Sequence, residues 1–162
     1  MGTGSNCYKP LLMTPIRDFM ARDHLFCDGI FDRAERMATG QEWDDAVTAF
    51  AQFRTLVLKH FDAEETVLFP AFEERSGMRN GPAQVMRGEH VQIRQLMEAA
   101  SAALADRDRE DYAGYSETLL IMVQQHNLKE ENMLYPLCDQ FLNDPASDVL
   151  SQLRDLLPGE ET

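Results

Sequence analysis

The chain has 162 residues, 44% of them hydrophobic, and a net charge of −13, with a pI near 4.6. That length suits one domain with a sizeable core. So acidic a surface repels phosphate backbones and anionic lipid, which argues against nucleic-acid and membrane partners.

Taken in chain order, residues 1–14 read as a flexible lead-in and 15–157 as one bundle. Apolar residues recur every three or four positions, and strand signals are nearly absent. Thr14-Pro15 looks like an N-cap followed by a first-turn proline, opening a helix over 15–38. TGQE at 39–42 breaks it, and a second helix is predicted over 42–75. SGMRNGP at 76–82 is the clearest loop, with Pro82 able to open a third helix over 82–105. DRDRED at 106–111 is a polar turn before a fourth helix over 110–142. NDP at 143–145 stops that helix, and a short one near 146–156 follows. Four long helices with short connections imply an all-α, up-down-up-down four-helix bundle with a short extra C-terminal helix. Pro70 and Pro136 fall inside the second and fourth helices and should kink them.

The chain repeats itself with an offset of 66 residues. Met20 falls on Met86, Asp23 on Glu89 and His24 on His90. His60 falls on His126, Glu64 on Glu130, Glu65 on Glu131, Phe69 on Tyr135 and Pro70 on Pro136. The chain has four histidines, and the offset maps them all onto one another. Counting about 1.5 Å per residue from each hairpin turn places them at roughly 21–27 Å depth, in one layer near mid-bundle. Residues four apart share a helix face, so Glu64 joins His60 and Glu130 joins His126. Glu65 and Glu131 turn farther away. Four unpaired imidazoles and two carboxylates are costly to bury in an apolar core, and a metal would satisfy them all. Mixed nitrogen and oxygen ligands suit iron, manganese or zinc. The set exceeds what one tetrahedral zinc needs, whereas two metals bridged by Glu64 and Glu130 would use it fully.

This H…HxxxE…H…HxxxE pattern, spanning about 15–142, resembles the hemerythrin-like (HHE) di-iron domain family. The resemblance implies a non-haem di-iron centre, oxo- or hydroxo-bridged, ligated by His24, His60, Glu64, His90, His126 and Glu130. Zinc or manganese are possible substitutes. The oxygen carriers of that family have a fifth histidine where this chain has Arg94. They also place the last carboxylate five residues after its histidine, whereas Glu130 and Glu131 here offer both spacings. The four-histidine, two-glutamate set is closer to di-iron proteins of iron–sulfur repair and nitric oxide handling, and to hemerythrin-type iron sensors. The cysteine-bearing N-terminal domain of the repair proteins is not expected in this chain. The implied function is binding of a diatomic ligand, O2 or NO, for storage, sensing or scavenging. The rival is an enzyme or iron donor acting on peroxide or NO, or in iron–sulfur repair. A homodimer or a separate protein partner remains open.

Other residues carry weaker expectations. Asp28 and its repeat mate Arg94 are expected to form an ion pair across the bundle, with Asp28 as an extra ligand the alternative. Asp23 and Glu89 read as solvated charge, or more sharply as acceptors for imidazole N–H groups on neighbouring helices. Met20, Leu56, Val57, Met86, Met122 and Val123 are expected to be core, and Cys27 a buried small hydrophobe. Trp43 is expected to pack at the bundle end. Cys7, Cys27 and Cys138 form no C-x-x-C pair, so neither a disulfide framework nor a zinc knuckle is expected. With no basic start before an apolar run and no spanning segment, a cytoplasmic location is expected.

Overall fold

The structure, a computed structural model, describes residues 15–144 and 147–157. The predicted lead-in, with Thr14 and Cys7, lies outside them. The described residues form an all-helical bundle: α1 (Pro15–Thr39), α2 (Trp43–Ala63), α3 (Phe69–Ser76), α4 (Pro82–Ala105), α5 (Arg109–Lys129), α6 (Tyr135–Phe141) and α7 (Val149–Leu156). The last begins later than the sequence suggests. No helix among the described residues is long and apolar enough to cross a membrane.

The helix ends follow local chemistry. The Asp108 side chain accepts from the Asp111 N–H at the start of α5, relieving one of the unbonded first-turn donors. Gly77 ends α3 at φ 76°, a left-handed conformation that suits a residue without Cβ.

The predicted proline kinks take a more specific form. Between α2 and α3 the chain makes a π-helical segment, Glu64–Leu68, and between α5 and α6 another, Glu130–Leu134. The Phe69 N–H bonds the carbonyl of Glu64, five residues back, and the Tyr135 N–H bonds that of Glu130 in the same way. Pro70 and Pro136 follow directly. A proline ring in a helix clashes with the carbonyl four residues back, and the wider π turn accommodates it. So the two long predicted helices are each an α–π–α composite, and the defect recurs at the repeat offset.

Packing runs α1 against α2 and α4 against α5, with α2 against α4 and α1 against α6 closing the group. Phe31 meets Phe53 while His24 meets His60, so α2 recedes as α1 advances. Two apolar clusters form the core. One gathers Phe31, Phe50, Phe53, Phe61, Met97 and Leu119, with Trp43 packed against it near the start of α2. The other gathers Ile16, Met20, Leu68, Phe69, Phe72, Leu134 and Tyr135. Fully burying each large apolar side chain contributes roughly 1.5–3 kcal/mol, so the two clusters carry most of the favourable free energy of folding. Met20, Val57, Met86 and Val123 are buried as expected, and Leu56 and Met122 are partly so. Cys27 and Cys138 are buried free thiols. Buried among these clusters is the polar group described next.

Candidate metal centre

His24, His60, Glu64, His90, His126 and Glu130 are all buried, Glu64 and Glu130 completely. α1 supplies His24, α2 His60, α4 His90 and α5 His126, and each π segment opens with its glutamate. Their inward atoms converge. His24 Nε2 is 3.1 Å from His60 Nε2. Glu130 Oε2 lies 3.2 Å from His24 Nε2, and its other oxygen lies 3.1 Å from His126 Nε2. Glu64 Oε1 lies 3.5 Å from His60 Nε2, and its Oε2 lies 3.2 Å from His90 Nε2. Each carboxylate therefore presents one oxygen to each histidine pair.

Every histidine is held from behind by a carboxylate on another element. His60 Nδ1 lies 2.7 Å from Asp23 and His126 Nδ1 2.8 Å from Glu89. His90 Nδ1 lies 2.7 Å from Glu65 and His24 Nδ1 2.9 Å from Glu131. The four pairs obey the repeat offset. They correct the solvated reading of Asp23 and Glu89, which are acceptors as in the sharper alternative. They also give Glu65 and Glu131 a role behind the imidazoles, because the fifth position turns out of the layer toward the neighbouring helix. A carboxylate on Nδ1 fixes the tautomer that leaves Nε2 free to face inward.

The expected Asp28–Arg94 pair does not form. Arg94 instead holds Glu65 through two 3.1 Å contacts, the planar guanidinium matching the carboxylate fork. It also lies over the Phe61 ring at 5.3 Å. Asp28 is half-buried, and burial raises its pKa.

Burial alone would lower the pKa of His90, but the nearby carboxylates of Glu130 and Glu64 outweigh it and raise it to about 9. His60 is likewise raised, burial being outweighed by the Glu64 charge and Asp23. Burial would raise the pKa of Glu130, but the charge of His126 and the nearness of the His126, His24 and His90 imidazoles push it well down. Even so, Glu64 Oε2, His90 Nε2, His126 Nε2 and Glu130 Oε1 have no well-oriented hydrogen-bond partner. The contacts between them are short, but their angles are not those of hydrogen bonds. Buried polar atoms are rarely left so. All four belong to one set whose ligand atoms lie within 4.8 Å of each other; His24, His60 and Glu130 form a second. Neutral imidazole nitrogen and carboxylate oxygen are suitable metal donors, so the residues fit metal binding.

The two sides of the layer differ. Phe61 stacks on His90 with ring centres 3.7 Å apart, and Phe69 stacks on it from 5.7 Å. The repeat mate of Phe61 is Asn127, and that of Phe69 is Tyr135. Beside Asn127 a cavity of about 20 Å³ reaches His24, Cys27, Asp28, His60 and His126. Tyr135 is fully buried. Its hydroxyl donates to Glu64 at 2.6 Å, with Glu130 at 2.9 Å and His24 and His60 Nε2 both at 3.2 Å. Sequence reasoning paired Tyr135 with Phe69 without giving it a role. The available signal was the repeat itself, where a hydroxyl replaces hydrogen at an otherwise matching position.

The profile of the Hemerythrin HHE cation binding domain matches residues 16–138, which include all six inward residues and all four carboxylates behind them. No curated protein and no solved structure matches the chain significantly. With most of the chain matched and a buried histidine–glutamate layer at its centre, this protein belongs to the hemerythrin HHE cation-binding family.

Proposed function

We propose that His24, His60, Glu64, His90, His126 and Glu130 hold two iron ions in an up-down-up-down bundle. A diatomic ligand, O2 or NO, binds beside His24 and His60 for storage, sensing or scavenging. The observation that carries this reading is the set of four buried ligand atoms left without oriented partners. Glu64 and Glu130 each offer one oxygen to each histidine pair, which suits bridging. When bound, iron supplies the electron density that O2 or NO needs to bind.

The rest falls to the protein. Asp23, Glu65, Glu89 and Glu131 hold the imidazole orientation. Phe61 and Phe69 keep water from the His90 side. The cavity of about 20 Å³ beside Asn127 suits a molecule of two heavy atoms, since roughly 10–15 Å³ already admits a water. The half-buried Asp28 carboxyl on that cavity favours a second reading, an enzyme turning over peroxide or NO with Asp28 handing on a proton.

Metal content per chain, with optical spectra before and after reduction, tests the reading. Two irons with near-ultraviolet bands that bleach on reduction are expected. No metal after anaerobic loading with ferrous iron would overturn it. Gas titration then separates the two functions: spectra that respond reversibly to O2 or NO mark a binder, and repeated turnover with peroxide or NO marks an enzyme. Asn127→Leu should retain both irons and weaken NO binding at least about tenfold, or 1.4 kcal/mol. Unchanged NO affinity would remove the cavity from the proposal.

A further inference from the structure

We infer that Tyr135 is a ligand of the metal at the His24–His60 position, so that the two metal positions are chemically unequal. The inference rests on the two-metal reading above and goes beyond its six ligands. The Tyr135 oxygen sits 3.2 Å from both His24 Nε2 and His60 Nε2, 2.9 Å from Glu130 Oε2 and 2.6 Å from Glu64 Oε1. Those are the four candidate donors of that position. Ligands about 2.1 Å from one ion, at right or tetrahedral angles, stand roughly 3.0–3.4 Å apart. The phenol oxygen meets that spacing closely for three of the four.

The phenol has one proton to donate, to Glu64 or to Glu130, while its oxygen keeps lone pairs within reach of His24 and His60. The wide π turn, with the Tyr135 N–H bonded five residues back to Glu130, brings the ring against the layer. The same turn brings Phe69 against His90, where a ring without a hydroxyl offers no donor. The His24–His60 position thus has five candidate donors and faces the cavity. The His90–His126 position has four, with Phe61 and Phe69 stacked on His90. Ligation would replace the phenol O–H bond by an oxygen–metal bond, the proton passing to solvent with no change of oxidation state.

The test uses the full chain, loaded anaerobically with ferrous iron and then oxidised with ferricyanide. Visible absorption and resonance Raman spectra are recorded alongside iron content. The expected wild-type result is a phenolate-to-ferric charge-transfer band with enhanced tyrosine ring modes that shift on labelling with deuterated tyrosine. Tyr135→Phe should lose the band while keeping two irons, and Phe69→Tyr should strengthen it by adding a second phenol. Two irons with no tyrosine modes in the wild type would overturn the inference and leave the two-metal reading standing. A band that persists in Tyr135→Phe would do the same. Failure to bind iron at all would overturn both. If Tyr135→Phe does not fold, the labelled wild-type spectrum still decides.

Discussion

The two hairpins of this chain carry the same polar residues at the same offset, yet they surround their histidines differently. Around His90 the space is filled: Phe61 stacks at 3.7 Å, and Arg94 lies over that ring while gripping Glu65. Around His24 the corresponding positions are Asn127 and Asp28, and a cavity opens between them. On the other side of the layer, Phe69 faces Tyr135 across the repeat. Duplication accounts for what the halves share, which is the inward atoms and the carboxylates behind them. Function is better sought where they differ, because a symmetric centre would give a small ligand no preferred side.

The largest expected effect tests what is shared. Glu130→Ala removes an oxygen from both histidine pairs, so if two metals are held, both should be lost together, as measured by metal content per chain. Two metals retained would end the bridging assignment. Next comes the filled side. Phe61→Ala should destabilise the fold by about 3–5 kcal/mol through a buried cavity, whereas Asn127→Ala should cost about 0.5 kcal/mol or less. Denaturant unfolding measures both, and equal losses would erase the distinction between the sides.

The third expectation concerns protons. His90 has a folded pKa of about 9 against an ordinary 6.5. Its stabilising effect, roughly 3 kcal/mol, is therefore complete below pH 6.5 and lost as the pH rises through 9. The Tm of the metal-free chain should fall over that window. If His90 ligates metal as a neutral imidazole, the Tm of the metal-loaded chain should hold over the same window. A flat metal-free profile would show that His90 is not protonated in the fold. Smaller still, Asp23→Asn and its mate Glu89→Gln should each weaken metal binding about 10–100-fold. A competition titration with a chelator measures this, and loss of affinity in only one of the pair would extend the asymmetry to the outer carboxylates. The smallest effect is expected from Asp28→Asn, which should leave metal content unchanged. Loss of a metal would make Asp28 a ligand after all.

Much of this could be read from the chain because repetition and helical spacing are local properties. The offset of 66 residues, the His-x-x-x-Glu spacing and the turn sequences needed no tertiary information. The roles of Asp23 and Glu89 were harder to read. A charge beside a histidine on a helix points to a different face, and whether it meets solvent or an imidazole depends on the neighbouring helix. Arg94 shows the same limit. Its position one turn from His90 is plain, but its choice of Glu65 over Asp28 follows from the π turn, which swings Glu65 toward α4. Nor does a proline within a helical pattern distinguish a kink from a π turn, since both accommodate the missing N–H.

By itself, then, the sequence determined an all-helical chain, its duplication and the six residues that would have to be buried together. Only the tertiary structure decided which acceptor stands behind each imidazole. It also decided that the Tyr135 hydroxyl reaches the layer, and that Phe61 stacks on His90 while a cavity lies beside Asn127. The physical reason is that helical period places a residue on a face. What that face meets is set by the packing of other helices, over distances of a few ångströms that no local pattern encodes.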